Sequence, residues 1–162
     1  MSSKPKIGEL QMSKSVNSLD IDNQHQTTSN NQKITTLGIT PIQINATLNK
    51  AQLLYNSGSY TDALTCCDKI YEADSHRTDN LLLLGAIHFQ MRNFSESIFY
   101  NQQCIRVDPS FAESYSNLGN SLKELGDLTS AIDFYNKAIK LKPRFSDAYN
   151  NLAGVYMQVN YF

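Results

Sequence analysis

Asparagine recurs at one phase of two helical stretches: Asn117 in "FAESYSNLGN" and Asn151 in "SDAYNNLAGV" stand 34 positions apart. Further amides, Asn120 and Asn150, lie close to them on what we interpret as the same face. A side-chain amide has two donors and one acceptor, so one Asn can bond both the N–H and the C=O of an extended peptide. All four are therefore candidate peptide-binding residues. The residues alone equally allow a solvated helix face or bonds between stacked helices.

The other side chains that could do chemistry form no catalytic or metal-binding pattern. Cys66 and Cys67 are adjacent and Cys104 is distant, so no CxxC spacing exists and reduced, partly buried thiols are favoured. His88 lies at an apolar phase of its helical pattern, where packing is favoured over catalysis. Phosphate-binding loops and triad spacings are absent from the sequence. We predict no catalytic residue, no metal site and no cofactor in this chain.

Composition and charge exclude several kinds of partner. The chain of 162 residues has a formal net charge of −1, so it lacks the basic field that attracts nucleic acid or anionic lipid. It has no apolar run of about 18 residues, so no membrane span is expected. The polar N-terminus, "MSSKPKIGELQMSKSVNSLD", lacks the apolar core of a signal peptide. We therefore expect a cytoplasmic and nuclear location.

The first forty residues differ in composition from the rest of the chain. Residues 1–40 are rich in Ser, Thr, Asn and Gln, as in "NQHQTTSNNQK", and the first aromatic residue is Tyr55. Such a segment cannot bury enough apolar surface to offset the entropy lost on ordering. The sequence predicts a disordered tail over residues 1–40 and a folded region over residues 41–162.

The folded region has a period of 34 residues. Leucine, small residues and proline each return at this interval, as in Leu84, Leu118 and Leu152, in Gly85, Gly119 and Ala153, and in Pro109 and Pro143. Each period contains two amphipathic helical stretches separated by a turn. This pattern predicts an all-α solenoid of about three and a half helix-turn-helix repeats. The repeats are predicted at about 44–77, 78–111 and 112–145, with a truncated fourth at 146–162.

Small residues and turn residues have mechanical roles in these repeats. Gly119 and Ala131 are expected to allow the two helices of the third repeat to approach closely. The second repeat departs from the third at Arg92, where the third has Gly126. The fourth repeat stops after one helix, and its apolar residues, such as Tyr156, would have nothing to cover them. We therefore expect the chain to be an N-terminal fragment of a longer repeat protein.

One set of phases in the third repeat resembles the tetratricopeptide repeat signature. These phases are filled by Tyr115, Leu118, Gly119, Leu122, Ala131, Tyr135, Ala138 and Pro143. Residues 48–158, including the apolar run Leu81–Leu84 and the dipeptide His88-Phe89, resemble the N-terminal repeats of nucleocytoplasmic protein O-linked N-acetylglucosamine transferases.

That resemblance implies a right-handed superhelical arm that recruits protein substrates in extended conformation. The arm would precede a glycosyltransferase domain that transfers N-acetylglucosamine from UDP-GlcNAc to Ser or Thr, and the full-length parent could be a homo-oligomer. Neither that domain nor its donor site has a counterpart in these residues. A related transferase that uses fucose and a non-enzymatic adaptor for protein complexes are the alternatives that the repeats leave open.

The resemblance also implies which surface binds peptides. In such arrays the first helix of each repeat lines a concave wall. We interpret this wall to include Leu83 and Phe89 in the second repeat and Ser116 in the third. Among the wall residues only Lys123 is cationic, which disfavours a clamp for acidic peptide termini, because such a clamp needs several converging cations. The family's asparagine ladder maps onto Asn117 and Asn151. Because Leu83 holds this phase in the second repeat, the ladder is expected to begin at the third.

Overall fold

The computed structural model describes residues 40–160, which form seven α-helices and no strand. The helices are α1 (Pro41–Asn56), α2 (Tyr60–Ala73), α3 (Thr78–Gln90), α4 (Phe94–Val107), α5 (Ala112–Glu124), α6 (Leu128–Leu141) and α7 (Ser146–Asn160). Apart from Thr40, the predicted tail lies outside the described residues. Consecutive helices pack on each other, and the first helix of each repeat also contacts the first helix of the next. The predicted all-α repeat solenoid is therefore confirmed.

The first helix begins with a complete N-terminal cap. The Thr40 hydroxyl accepts a hydrogen bond from the Gln43 backbone N–H, and the Gln43 side chain accepts one from the Thr40 N–H. This reciprocal pair satisfies two donors that a helix start otherwise leaves unpaired. Pro41 follows at the first helical position, where its missing N–H costs nothing. The local sequence Thr-Pro-Ile-Gln thus fixes the start of α1.

The turn inside each complete repeat needs one residue with positive φ. Gly58 and Gly126 supply it at φ +81° and +85°, and Arg92 takes the same conformation at φ +61° in the second repeat. In that repeat the backbone N–H of Asn93 bonds the carbonyl of His88 at 2.8 Å, and equivalent bonds close the other two turns. An L-residue in this region costs about 1–2 kcal/mol. Arg92 therefore has a strained backbone conformation, whereas the turn itself is the same as in the other two repeats.

Glycine in the first helix makes room for a side chain of the second. A Cβ added at Gly119 would lie 2.8 Å from the ring of Tyr135, and one at Gly85 would lie 2.4 Å from the amide of Asn101. Both distances are below van der Waals contact, so these positions exclude a larger residue. The space at each glycine is thus filled by a buried side chain of the facing helix, and the close approach of the helices at Gly119 and Ala131 stays a prediction.

The interior has two apolar halves with buried polar groups between them. The half formed by the first two repeats centres on Ala51, Ala63, Cys67, Leu83, Leu84 and Ile87. The half formed by the last two centres on Tyr115, Ala131, Tyr135, Ala138, Ala148 and Val155. Where α4 meets α5, the buried hydroxyls of Ser97 and Ser121 lie 2.9 Å apart in a hydrogen bond. The halves are thus joined partly through polar contacts.

Between residues 40 and 160, no helix has the length and apolar character needed to cross a membrane.

Candidate peptide-binding face

The first helices of three successive repeats meet at one concave pocket of about 190 Å³. Its lining comes from α1, α3 and α5 and consists of Tyr55, Ala86, Phe89, Gln90, Asn117 and Asn120. We call it the first-helix pocket. Two of the four candidate asparagines lie in this lining, together with residues from the two preceding repeats. The pocket combines aromatic rings with side-chain amides.

The side-chain amide of Asn117 is available for a ligand. The residue is partly exposed, and within residues 40–160 its side chain makes no hydrogen bond. Its backbone carbonyl is occupied, since it accepts from the Ser121 hydroxyl at 3.2 Å as well as belonging to α5. The amide can therefore offer both donors and its acceptor to a bound peptide.

Asn120 is already engaged inside the repeat. Its side-chain oxygen accepts a hydrogen bond from the hydroxyl of Tyr135 at 2.8 Å. Tyr135 is fully buried, and burial raises the pKa of its hydroxyl, so the phenol stays neutral and donates. A buried phenol needs such a partner. The amide of Asn120 thus has a structural role that the sequence did not indicate. Its two N–H groups make no hydrogen bond within residues 40–160.

The remaining candidates lie one repeat further along, on α7. Asn151 is partly exposed and Asn150 is exposed, and neither side chain bonds another residue of the described range. Neither belongs to the lining of the first-helix pocket. Neighbouring helices pack at about 8–10 Å, so a peptide longer than a few residues is needed to reach from Asn117 to Asn151.

Two residues that we placed on the wall from the sequence are instead buried. Leu83 is 5% exposed and packs with Ala51 and Ala63 in the core of the first two repeats. Ser116 is 3% exposed. That part of the wall prediction was wrong, because small residues on α1 and α2 leave space into which the Leu83 side chain turns. The same phase is therefore interior in α3 and accessible in α5.

The structure adds residues that the sequence reasoning missed. Tyr55 lines the first-helix pocket and stands 34 positions before Phe89, which the sequence had already placed on the wall. Asn49 is exposed and lies at the phase of Asn117, two periods earlier. The period itself could have revealed Tyr55 and Asn49, had the first repeat been aligned residue by residue with the later ones.

Two acidic residues of α5, Glu113 and Glu124, are paired with cations. Glu113 binds the ammonium of Lys142, which lowers the pKa of the Glu113 carboxyl through their hydrogen bond. The carboxylate of Glu124 lies 3.8 Å from Lys123 and 3.7 Å from Arg92. These exposed pairs are individually weak. Together these ion pairs leave the face near the asparagines with little net charge. Lys123 already has an acidic partner in Glu124.

The side chains of Cys67 and His88 are packed in the interior of the protein. Burial raises the pKa of the Cys67 thiol to about 12, so it is not a thiolate nucleophile at neutral pH. His88 is 9% exposed, and its ring stacks on Tyr100 with centroids 5.3 Å apart. Within the described part of the chain, no group of three His, Cys, Asp or Glu side chains could hold a metal ion.

Comparison with known proteins agrees with this architecture. Models of the tetratricopeptide repeat family match residues 78–111 and 112–145, which are the second and third predicted repeats. These matches show that residues 78–145 are two tetratricopeptide repeats, and the helix pairs on either side stack on them in the same way.

Sugar transferases are among the proteins that resemble this chain. A segment of 87 residues is 43% identical to the probable UDP-N-acetylglucosamine–peptide N-acetylglucosaminyltransferase SEC of Arabidopsis thaliana. The match covers 54% of this chain and 9% of that protein. A Thermobaculum terrenum O-GlcNAc transferase mutant superposes with a TM-score of 0.67 and 25% identity, over 69% of this chain and 22% of that one. The resemblance to the repeats of such transferases is confirmed, and the chain spans a small fraction of each relative.

A peptide-binding domain shares the fold at lower sequence identity. The first repeat domain of Spaghetti (RPAP3), bound to the HSP90 peptide SRMEEVD, superposes with a TM-score of 0.70 and 19% identity. The superposition covers 75% of this chain and 96% of that domain. This likeness shows the fold alone.

Proposed function

We propose that this chain is the N-terminal, substrate-recruiting repeat region of a protein O-GlcNAc transferase. It binds protein substrates as extended peptides through its concave face. The remainder of the parent protein transfers N-acetylglucosamine from UDP-GlcNAc to Ser or Thr hydroxyls of cytoplasmic and nuclear proteins. The observation that carries the proposal is the 43% identity over 87 residues to a transferase of this class. No residue of the chain is assigned to the sugar donor.

The geometry supports a particular binding mode. Asn117 presents an unoccupied amide beside a pocket shared by three first helices. An extended peptide rises about 3.3 Å per residue, and successive first helices are about 8–10 Å apart. One amide per repeat therefore meets about every third residue of the peptide. Asn117 and Asn151 would each bond a backbone N–H and C=O, which recognises the extended chain without reading its sequence.

The charges argue against the other common mode, a clamp for an acidic terminus. The peptide SRMEEVD bound by the Spaghetti domain ends in three acids and a Val. Lys123, the cation among our assigned wall residues, already lies 3.8 Å from Glu124. A carboxylate cluster there would face one shared cation and a paired acid, which gives little net attraction.

The proposal is tested by sequencing transcripts of the locus beyond the codon for Phe162. We expect further repeats followed by a glycosyltransferase domain, and we expect the full-length product to label Ser or Thr from UDP-GlcNAc. An unrelated domain, or a full-length product that binds proteins but transfers no sugar, would contradict the proposal and favour an adaptor. Transfer from GDP-fucose but not from UDP-GlcNAc would contradict the choice of donor.

A further inference from the structure

The aromatic part of the first-helix pocket is held in place by a repeated arrangement. Tyr55 and Phe89 occupy the same phase of α1 and α3. Each ring packs against the first aromatic residue of the following helix, Tyr55 on Tyr60 and Phe89 on Phe94, with both pairs of centroids 5.6 Å apart. Arg92 lies 5.3 Å above the Phe94 ring on the same turn. The two lining rings are therefore braced, which reduces the entropy lost when a ligand binds between them.

The size of the pocket suits a single ring. Its volume is about 190 Å³, and an apolar cavity of about 150 Å³ is large enough to bind benzene. Ala86 contributes the smallest side chain of the lining. At the equivalent position of the third repeat stands Asn120, so the space is specific to the second repeat.

The chemistry of the lining favours a neutral, partly aromatic ligand. None of its six residues is an Asp, Glu, Lys or Arg. A charged side chain inserted there would lose hydration without gaining a partner. Gln90, Asn117 and Asn120 supply N–H donors, and Gln90 makes only a long contact of 3.4 Å to the Tyr55 hydroxyl. Amides next to aromatic rings can bond the peptide groups on either side of an inserted side chain.

We infer that the first-helix pocket binds one Phe or Tyr side chain of the recruited peptide, at the point where Asn117 holds the peptide's backbone. The inference rests on the proposed peptide binding and adds a sequence preference to it. The next free amide, Asn151, lies one repeat away, which corresponds to about three peptide residues. The aromatic residue is thus about three positions from the segment held at Asn151.

The test uses two dye-labelled peptides of Ser, Thr and Val that differ only in a central Phe or Ala. Fluorescence anisotropy with the full chain measures both affinities. We expect the Phe peptide to bind about tenfold more tightly, since a buried aromatic side chain is worth at least one factor of ten in affinity. Ala86→Leu, which fills the pocket, and Phe89→Ala, which removes its wall, should each abolish the difference while the Ala peptide binds as before.

Controls separate this inference from the proposed function. Phe99→Ala removes an exposed ring on α4 outside the pocket and should preserve the preference. Because Ala86→Leu removes no packing, it remains informative if Phe89→Ala unfolds the chain. Equal binding of both peptides, or a preference that survives Ala86→Leu, would overturn the inference and leave the proposed function intact. Failure of both peptides to bind would contradict both.

A second copy of the chain is the competing occupant of the pocket. Sedimentation of the wild-type chain and of Ala86→Leu distinguishes it. If the wild-type chain dimerises, and Ala86→Leu abolishes the dimer without changing the peptide preference, the pocket is a contact between copies and the inference is wrong. An unchanged sedimentation coefficient, with loss of the preference, supports the peptide.

Discussion

The concave face differs between the first two repeats and the last two, although the helices repeat with one period. The phase that holds Tyr55 and Phe89 in the first two repeats holds Lys123 in the third. The phase that buries Leu83 in α3 exposes the amide of Asn117 in α5. The first two repeats thus supply the aromatic rings of the first-helix pocket, and the third supplies Asn117 and Asn120. Since the period preserves the packing positions, our proposal assigns recognition to the positions where successive repeats depart from each other.

The interior shows the same contrast between the halves. Asn101 in α4 and Tyr135 in α6 occupy one phase, and each fills the space left by a glycine. Tyr135 has its hydroxyl satisfied by Asn120. The amide of Asn101 bonds the Ser97 carbonyl at 2.8 Å, but its side-chain oxygen has no partner among the described residues. The buried side chain at this phase is therefore fully hydrogen-bonded in the third repeat but not in the second. An unsatisfied buried acceptor is costly.

Exchanging the residues at the phase of Leu83 and Asn117 should give the largest effect. Leu83→Asn places an amide in an apolar core and should destabilise the chain by about 3 kcal/mol. Asn117→Leu changes a partly exposed side chain and should alter stability by less than about 0.5 kcal/mol. Urea unfolding followed by circular dichroism measures both. Similar losses from the two exchanges would show that the phase is equivalent in both halves and would break the comparison.

Replacing Gly119 or Gly154 in the C-terminal half by alanine should change the stability of the chain in opposite directions. Gly119→Ala pushes a methyl group into the Tyr135 ring and should cost about 1–3 kcal/mol. Gly154→Ala in α7 meets nothing within 4 Å and should gain about 0.5–1 kcal/mol from helix propensity. The same unfolding experiment measures both variants. A loss at Gly154 as large as that at Gly119 would mean that the packing and face positions are not distinct.

A substitution in the turn of the second repeat should raise the stability of the chain, whereas one at the same phase of the third repeat should lower it. Arg92→Gly relieves a positive φ and should gain about 0.5 kcal/mol, after the greater freedom of glycine in the unfolded chain is subtracted. Gly126→Ala, at the same phase with φ +85°, should lose about 1 kcal/mol. Thermal unfolding of both variants gives the measurement. A lower melting temperature for Arg92→Gly would show that its contacts with Glu124 and Phe94 outweigh the strain.

A small effect of pH on stability between neutral pH and pH 5 should come from His88 in the N-terminal half. Burial lowers the pKa of His88 from 6.5, against the opposing influence of Glu96 and Asp68. As the pH falls below 6.5, the imidazole of the unfolded chain is protonated before that of the folded chain. The free energy of unfolding therefore decreases as the pH is lowered. His88→Phe should make the loss of stability between neutral pH and pH 5 smaller. An identical pH profile in wild type and variant would contradict this assignment.

Much of the fold follows from the sequence, because a 34-residue period fixes several positions at once. Leu84, Leu118 and Leu152 mark the packing side of three helices, and each lies where the period places it. The burial of Leu83 could not be derived in this way. It depends on the small residues that α1 and α2 present to it, which belong to a different and weaker repeat.

The candidate site was predictable in its position but not in the state of each amide. The phase of Asn117 placed it on the first-helix side, where the structure finds a pocket. The hydrogen bond from Tyr135 to Asn120 joins two helices 15 positions apart, and no local pattern indicates it. The pairing of Tyr55 with Phe89 was readable from the period, yet it is absent from the third repeat, in which the signature is strongest.

The most direct test of the central claim is the affinity of the Asn117→Ala, Asn151→Ala double variant for an extended peptide. We expect binding to weaken about tenfold, because each lost amide removes hydrogen bonds worth about 0.5–1.5 kcal/mol. Helical content and melting temperature should be nearly unchanged. Asn136→Ala, which removes an exposed amide on α6 rather than on a first helix, is the matched control and should bind normally. Unchanged affinity, or a melting temperature that falls in step with binding, would contradict the claim that these amides hold the peptide backbone.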